Sequence, residues 1–156
     1  MQAALFNDAG LVMYYRYLSR GEIADRPFEV LSDDELPAIS VDRRLLRLAC
    51  RQLVDNALKY SPPWAPIAVR VCHGDSSVSV EVTDHGAGIP AQELNRIFER
   101  FYRGPAVKQQ VPGSGLGLSI ARSIAAAHKG DVAVTSRPGE TTFRLTLPVV
   151  KEGARS

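Results

Sequence analysis

This 156-residue sequence has few cysteines, little net charge and no long apolar run, and each of these features argues against one class of protein. Its two cysteines, Cys50 and Cys72, lack CxxC or Cys/His spacing, so we expect small buried thiols rather than a disulfide or metal site. The formal net charge of only +2 gives no reason to expect nucleic acid or an anionic membrane as a partner. No apolar run approaches the length of about 20 residues that spans a bilayer, and no leader peptide is visible. We therefore expect a cytoplasmic fragment without membrane contact. This expectation does not exclude a parent protein anchored in the inner membrane.

What is present is typical of one soluble globular domain. Apolar residues make up 45% and charged residues 23% of the chain, and the length suits a single core. We expect a connector helix and linker over residues 1–27, one domain over residues 28–150 and a short tail over residues 151–156.

Periodicity and turn residues predict the elements of that domain. Helices are expected over 8–20, 42–59, 90–98 and 116–128, with Asp42 as a cap and Gly130 ending the last one. Strands are expected over 28–31, 38–41, 67–72, 78–83, 131–136 and 141–147. Segment 103–114 is polar and aperiodic, which predicts a long functional loop. Hairpins joining neighbouring strands predict an α+β fold, a two-layer sandwich whose mixed, mostly antiparallel sheet carries its helices on one face.

Three polar clusters suggest chemistry. Gln52, Asn56 and Lys59 share one helix face, where an amide oxygen suits Mg²⁺ and a lysine suits phosphate; the alternative is an ordinary solvated face. Asp84 follows an alternating strand, where its carboxylate is able to accept a hydrogen bond from an adenine amino group; segment 84–89 is otherwise a simple turn. Its glycines permit close approach of a ligand to the backbone.

The third cluster, segment 113–118, is glycine-rich and leads into a helix. Backbone amides at a helix start favour phosphate, although a bare glycine-rich turn is the alternative. The segment matches neither common phosphate loop, because Leu118 stands where GxGxxG needs glycine and no Gly-Lys-Ser/Thr follows.

Together and in this order, the clusters resemble the boxes of the histidine-kinase ATPase domain, of the GHKL superfamily. Segment 52–60 (QLVDNALKY) resembles the N box, 84–89 (DHGAGI) the G1 box, 98–104 (FERFYRG) the F box and 113–118 (GSGLGL) the G2 box. Segment 138–148 resembles the closing hairpin, so the resemblance covers about residues 28–150. It implies a Bergerat-type ATP-binding fold with ATP and Mg²⁺ as cofactors.

The resemblance also implies roles for individual residues. Asn56 is expected to hold Mg²⁺, Lys59 to contact phosphate, Tyr60 to line the pocket and Asp84 to recognise adenine. Segment 103–114 is expected to be the ATP lid, with Phe98 and Phe101 packing at its base. Arg103 is the cation expected at the γ-phosphate, in competition with Arg100 and Lys108. The other expected nucleotide contacts are Gly86, Gly88, Ile89, Gly113, Gly115, Leu116, Gly117 and Leu118. Thr142 or Thr141 is expected to help Asp84 through a water, although Glu140 stands where the family usually has a glycine before this pair.

One position bears on the reaction. Hydrolytic relatives carry a glutamate one turn before the Mg²⁺ asparagine, and here that position is Gln52, which is not a base. The resemblance therefore implies phosphoryl transfer to an external nucleophile rather than fast hydrolysis.

The nucleophilic histidine is not recognisable in the sequence. His73, His85 and His128 lack the setting of a long helical hairpin, and we interpret them as incidental. The chain is thus expected to be the catalytic domain of a two-component sensor kinase, monomeric in isolation. Its expected partners are a separate phosphoacceptor dimerisation domain and a downstream response regulator. The alternatives are a non-catalytic ATP-binding module and an anti-sigma-type serine kinase.

Overall fold

The computed structural model describes residues 3–5, 27–102 and 115–150. The predicted helix over 8–20 and the predicted lid lie outside these residues. No helix within the described ranges is long and apolar enough to cross a membrane. In chain order the elements are β1 (Ala3–Leu5), β2 (Phe28–Ser32), β3 (Ala38–Ser40), α1 (Arg43–Tyr60), β4 (Ile67–His73), β5 (Ser77–Asp84), α2 (Gly117–Ala127), β6 (Asp131–Arg137) and β7 (Glu140–Pro148).

Five strands form one mixed sheet in the order β2-β4-β5-β7-β6. The β2–β4 pair is parallel and the other three pairs are antiparallel, which confirms the predicted mixed, mostly antiparallel sheet. Strands β1 and β3 form a separate two-stranded sheet, and Ile39 of β3 makes an isolated bridge with Val149. On the large sheet, alternate residues of β5 are buried, which directs one apolar face toward the helices.

The core lies between that face and helices α1 and α2. Helix α1 begins at the predicted cap, where the Asp42 carboxylate accepts hydrogen bonds from the N–H groups of Arg44 and Leu45. Its apolar face carries the fully buried Cys50, and burial raises the pKa of that thiol to about 12, which makes it unreactive. Cys72 is only half-buried, on the outer face of the sheet, and burial followed by the nearby Glu81 carboxylate raises its thiol pKa. The expectation of a buried thiol therefore holds for Cys50 alone.

The end of α2 differs from the sequence prediction. The left-handed residue is Lys129, with φ of 64°, and Gly130 is the next one. Gly130 N–H donates to Ala125 C=O at 2.8 Å and Lys129 N–H to Ala126 C=O at 3.0 Å, the pattern of a Schellman cap. A β-carbon at Gly130 would lie 2.0 Å from the Thr146 carbonyl oxygen. Glycine is required here because strand β7 passes closely, and this packing is not visible in the local sequence.

The helix predicted over 90–98 is also shorter than expected. Only a 3₁₀ turn, Ala91–Glu93, forms, and successive turns carry the chain onward. Ile97 and Phe98, adjacent in sequence, both pack against the core, which a regular amphipathic helix does not favour.

His128 is not an incidental surface residue, contrary to the sequence interpretation. It is 8% exposed, its Nε2 accepts the N–H of Asp42 at 3.1 Å, and its Nδ1 lies 2.8 Å from the Ile124 carbonyl oxygen. A carbonyl only accepts, so the ring carries its proton on Nδ1 and is neutral. His128 thus joins the start of α1 to the end of α2.

Replacing His128 by alanine is expected to reduce the free energy of unfolding by about 1 to 3 kcal/mol, because it removes both hydrogen bonds of a buried ring. Urea denaturation monitored by circular dichroism measures this change. The matched control is His73→Ala at the exposed end of β4, expected to stay within about 0.5 kcal/mol of wild type. Equal stability of the two variants would contradict a structural role for His128.

Candidate nucleotide-binding site

The carboxyl-terminal half of α1 carries the first group of predicted site residues. Gln52 and Asn56 are half-buried, whereas Lys59 and Tyr60 are exposed. The helix ends at Ser61, whose hydroxyl donates to the Ala57 carbonyl oxygen at 2.7 Å. Asn56 stands one turn after Gln52 and one turn before Tyr60, so this stretch is about 12 Å long.

Asp84 is the last residue of β5 and only 3% exposed. It continues the alternation of buried valines, and this places a carboxylate on the core side at the end of the strand. Its Oδ1 accepts the N–H of Gly86 at 2.9 Å. The side chain is therefore held in position by its own loop before any ligand contact.

Gly86 brings the G1 segment, residues 84–89, against the end of α1. A β-carbon at Gly86 would lie 2.2 Å from the Tyr60 carbonyl oxygen and 3.1 Å from Asp84 Oδ1. Only glycine permits this approach without a backbone shift. As a result, Asp84 is carried to the end of the helix on which Asn56 lies.

The rest of the G1 segment is fixed to the β6–β7 hairpin. Gly88 has φ of 87°, and a β-carbon there would lie 2.7 Å from the Arg137 carbonyl oxygen. Ile89 N–H donates to Ser136 Oγ at 2.8 Å, and Ser136 Oγ lies 2.7 Å from Thr141 Oγ1. Sequence reasoning did not identify Ser136, because its link to Ile89 spans 47 positions.

Of the two threonines expected beside Asp84, the structure places Thr141 there and not Thr142. The β5–β7 register pairs Asp84 with Thr141, which is 3% exposed. Thr142 pairs with Thr83, and their hydroxyl oxygens are 2.8 Å apart on the opposite face of the sheet. The period of two along a strand places only one of two adjacent threonines on the Asp84 face, and the register selects Thr141.

The start of α2 lies against α1. Leu116 is the N-cap and makes no side-chain capping bond, while Leu118 packs against the core. A β-carbon at Gly117 would lie 2.8 Å from Oε1 of Gln52. The first turn of α2 is therefore adjacent to α1 one turn before Asn56.

The residues flanking the predicted lid are joined to each other. Phe101 N–H donates to the Gly115 carbonyl oxygen at 3.0 Å, and Gly115 has φ of 75°. Arg103 and Gly113, the other predicted contacts at this place, lie outside the described residues, as does Lys108.

The two F-box phenylalanines behave differently. Phe98 packs edge-on against Phe143 with ring centroids 6.3 Å apart, and the Arg122 guanidinium lies 4.7 Å from its ring centroid. Nε of Arg122 in turn lies 3.1 Å from Oδ1 of Asp131. Phe101, by contrast, has φ of 63° and is 68% exposed. The loop against which it is predicted to pack lies outside the described residues, so that packing stays a prediction.

Two sets of contacts therefore meet along α1. The G1 segment reaches it at Tyr60 and the start of α2 reaches it near Gln52, with Asn56 between them. An amide, a buried carboxylate and a glycine-lined helix start around one helix have the chemistry that suits a magnesium ion, an adenine and a phosphate. The class that this arrangement defines is an ATP-binding domain on a two-layer α+β fold.

Comparison with known proteins defines the family. Residues 41–151 match the family described as histidine kinase-, DNA gyrase B- and HSP90-like ATPase. The match covers more than half of the sequence, and the chain belongs to this family. Within it, the similar proteins are sensor histidine kinases, so the domain is of the histidine-kinase catalytic type.

Among curated relatives, Escherichia coli O157:H7 sensor histidine kinase CusS is 42% identical over 125 residues, covering 80% of this chain and 26% of CusS. Mycobacterium tuberculosis H37Rv sensor-like histidine kinase SenX3 is 40% identical over 113 residues, covering 71% of this chain and 28% of SenX3. The chain thus spans about a quarter of the length of these relatives.

Solved structures agree with the fold. The mycobacterial sensor histidine kinase MprB has a TM-score of 0.83 at 30% identity, covering 95% of this chain and 98% of that one. Full-length ShkA in complex with AMPPNP has a TM-score of 0.82 at 25% identity, covering 99% of this chain and 32% of that one. Both support the α+β assignment.

Proposed function

We propose that this domain binds Mg·ATP and donates the γ-phosphoryl group to a histidine on a separate dimerisation domain of a two-component sensor kinase. The observation that carries the proposal is the meeting of Asp84 and the start of α2 on either side of Asn56. The full-length ShkA structure of similar fold is a complex with AMPPNP, which supports a nucleotide as the ligand.

The residues present fit a magnesium ion held mainly by phosphates and water. The described part of the chain contains no group of three or more His, Cys, Asp or Glu residues arranged as a metal cage. Magnesium with nucleotides is usually bound by one or two protein oxygens, and the half-buried Asn56 amide supplies one. The ion would neutralise phosphate charge there, while Lys59 and the first-turn amides of α2 hold the phosphates.

The side chains near Asn56 favour transfer over hydrolysis. Gln52 is neutral and has no affinity for a proton from water. Asp55 is the carboxylate next to Asn56 in sequence. Its Oδ2 lies 3.6 Å from Nε of Arg51, and both side chains are partly solvent-exposed. Its direction on the helix differs by about 100° from that of Asn56. No carboxylate of α1 is therefore directed as a base toward the proposed phosphates.

The three histidines support an acceptor outside the described residues. His73 and His85 are exposed residues that bond to neighbouring loop carbonyls, and His128 is buried with both ring nitrogens engaged. None lies on an exposed face of a long helix. A helical hairpin that carries its own histidine and docks in trans meets this need, and a response regulator aspartate would then receive the phosphoryl group.

The test is phosphoryl transfer in trans. The chain is mixed with Mg²⁺, γ-labelled ATP and the histidine-bearing hairpin domain of a sensor kinase such as CusS. We expect acid-labile, base-stable label on the hairpin and negligible label on the chain itself. A hairpin whose acceptor histidine is replaced by glutamine is the control and should remain unlabelled.

Three other outcomes would overturn the proposal in distinguishable ways. Tight ATP binding with no transfer to any hairpin offered would indicate a non-catalytic nucleotide-binding module. Acid-stable label on a serine of a protein substrate would indicate the serine-kinase branch. Failure to bind nucleotide at all would remove both kinase assignments.

A further inference from the structure

The contact between Gln52 and Gly117 is a feature that the assigned roles do not explain. The Gln52 carboxamide lies over the first turn of α2, so that a β-carbon at residue 117 would be 2.8 Å from Oε1 and 3.8 Å from Cδ. Contacts under about 3.0 Å are not made by real β-carbons. Glycine at 117 and glutamine at 52 are therefore matched in size.

Backbone conformation does not require glycine at this position. Gly117 has no positive φ, unlike Gly88, Gly115 and Gly139, and it is the first residue of α2. Alanine is the better helix former, by about 1 kcal/mol in a helix interior. Alanine at 117 would displace only the end of the flexible Gln52 side chain, so the backbone would stay in place.

The side chain of Gln52, a half-buried residue, also makes no hydrogen bond to residues 27–102 and 115–150. The carboxamide therefore adds no hydrogen bond to the fold within these residues. Its place, one turn before Asn56 and over the start of α2, is at the phosphate end of the proposed site.

We propose that Gln52 is a positioning residue for the phosphate-binding turn of α2, and that Gly117 is glycine so that the Gln52 side chain can lie across this turn. The inference rests on the proposed function, because it concerns how the same site holds the triphosphate. Gln52 sets the spacing between the Asn56 face of α1 and the first-turn amides of α2. The Asn56 face and these amides must contact the same triphosphate at the same time.

The test is a double-mutant cycle on Mg·ATP affinity by calorimetric titration. Gly117→Ala is expected to weaken binding about tenfold, as is typical of coupled neighbours, because its new methyl group pushes the carboxamide aside. Gln52→Asn is one methylene shorter and leaves room for that methyl group. In the Gln52→Asn background, Gly117→Ala should therefore change affinity by less than about twofold.

Thermal unfolding of the same variants separates positioning from folding. Gly117→Ala should unfold at or above the wild-type temperature, since only a flexible side chain moves and helix propensity improves. The control is Gly74→Ala in the β4–β5 turn, where a β-carbon would have only an ordinary contact, 3.8 Å from Ser77 Oγ. It should change neither affinity nor unfolding temperature.

The outcomes distinguish this inference from the proposed function. The same loss of affinity from Gly117→Ala in both backgrounds would mean that the methyl group meets the nucleotide directly, and would overturn the coupling. If Gly117→Ala lowers the unfolding temperature enough to account for the lost affinity, the Gln52–Gly117 contact serves only the packing of the fold. Wild-type protein that binds no Mg·ATP would overturn the proposed function and this inference together, whereas wild-type binding with additive effects would overturn the inference alone.

Discussion

Asp84→Asn is expected to weaken ATP binding about 30-fold, from the loss of about 2 kcal/mol for a hydrogen bond to a charged acceptor. The proposed partner is the adenine amino group, which requires an acceptor. The amide retains one oxygen, and Gly86 N–H, which now binds Oδ1 at 2.9 Å, occupies it. The amide nitrogen would then be directed at another donor.

The same variant should lose part of its preference for ATP over GTP, because a buried group built to accept from the base discriminates against a base with a carbonyl there. Competition between the two nucleotides for a fluorescent ATP analogue measures this preference. The control is Asp75→Asn in the exposed β4–β5 turn, where no change is expected. An Asp84→Asn protein with wild-type discrimination would remove Asp84 from the proposed site.

Asn56→Ala is expected to abolish the Mg²⁺-dependent part of ATP affinity while leaving the fold intact. Substitutions of groups that merely orient a metal ligand cost about 10- to 100-fold, so loss of a ligand itself should reach the upper end of that range. Asn56 is half-buried beside the core stripe of α1, and alanine is a better helix former than asparagine. Unfolding temperature should therefore not fall.

The measurement is a titration of ATP with and without Mg²⁺. Wild-type protein should bind more tightly with the ion, and Asn56→Ala should bind equally weakly in both conditions. Asn95→Ala, at an exposed turn position, is the matched control and should behave as wild type. A full Mg²⁺ response in Asn56→Ala would refute the ligand role.

Local sequence signals predicted most of the fold. The alternation of Val78, Val80 and Val82 and the cap at Asp42 gave elements whose ends agree with the structure within a residue or two. These signals are local, since periods of 2 and 3.6 residues and capping groups act within one or two turns. The site motifs were visible for the same reason, because each lies within about ten consecutive residues.

The errors and the alternatives left open arose where a distant part of the chain decides the conformation. Gly130 is glycine because β7 passes beside it, and Thr141 rather than Thr142 faces Asp84 because of the β5–β7 register. The His128 ring is fixed by the N–H of Asp42, 86 positions away. None of these contacts has a periodic or local signature.

By itself, the sequence determined most of the elements from β2 onward, the family's motifs and the residue types available for a nucleotide, because these depend on neighbouring positions. Only the tertiary structure decided which groups meet: the G1 segment with the end of α1 at Tyr60, and the start of α2 with Gln52. The physical reason is close packing. At Gly86 the backbone of Tyr60 is so near that only glycine fits, and at Gly117 the lack of a β-carbon leaves space for the Gln52 side chain.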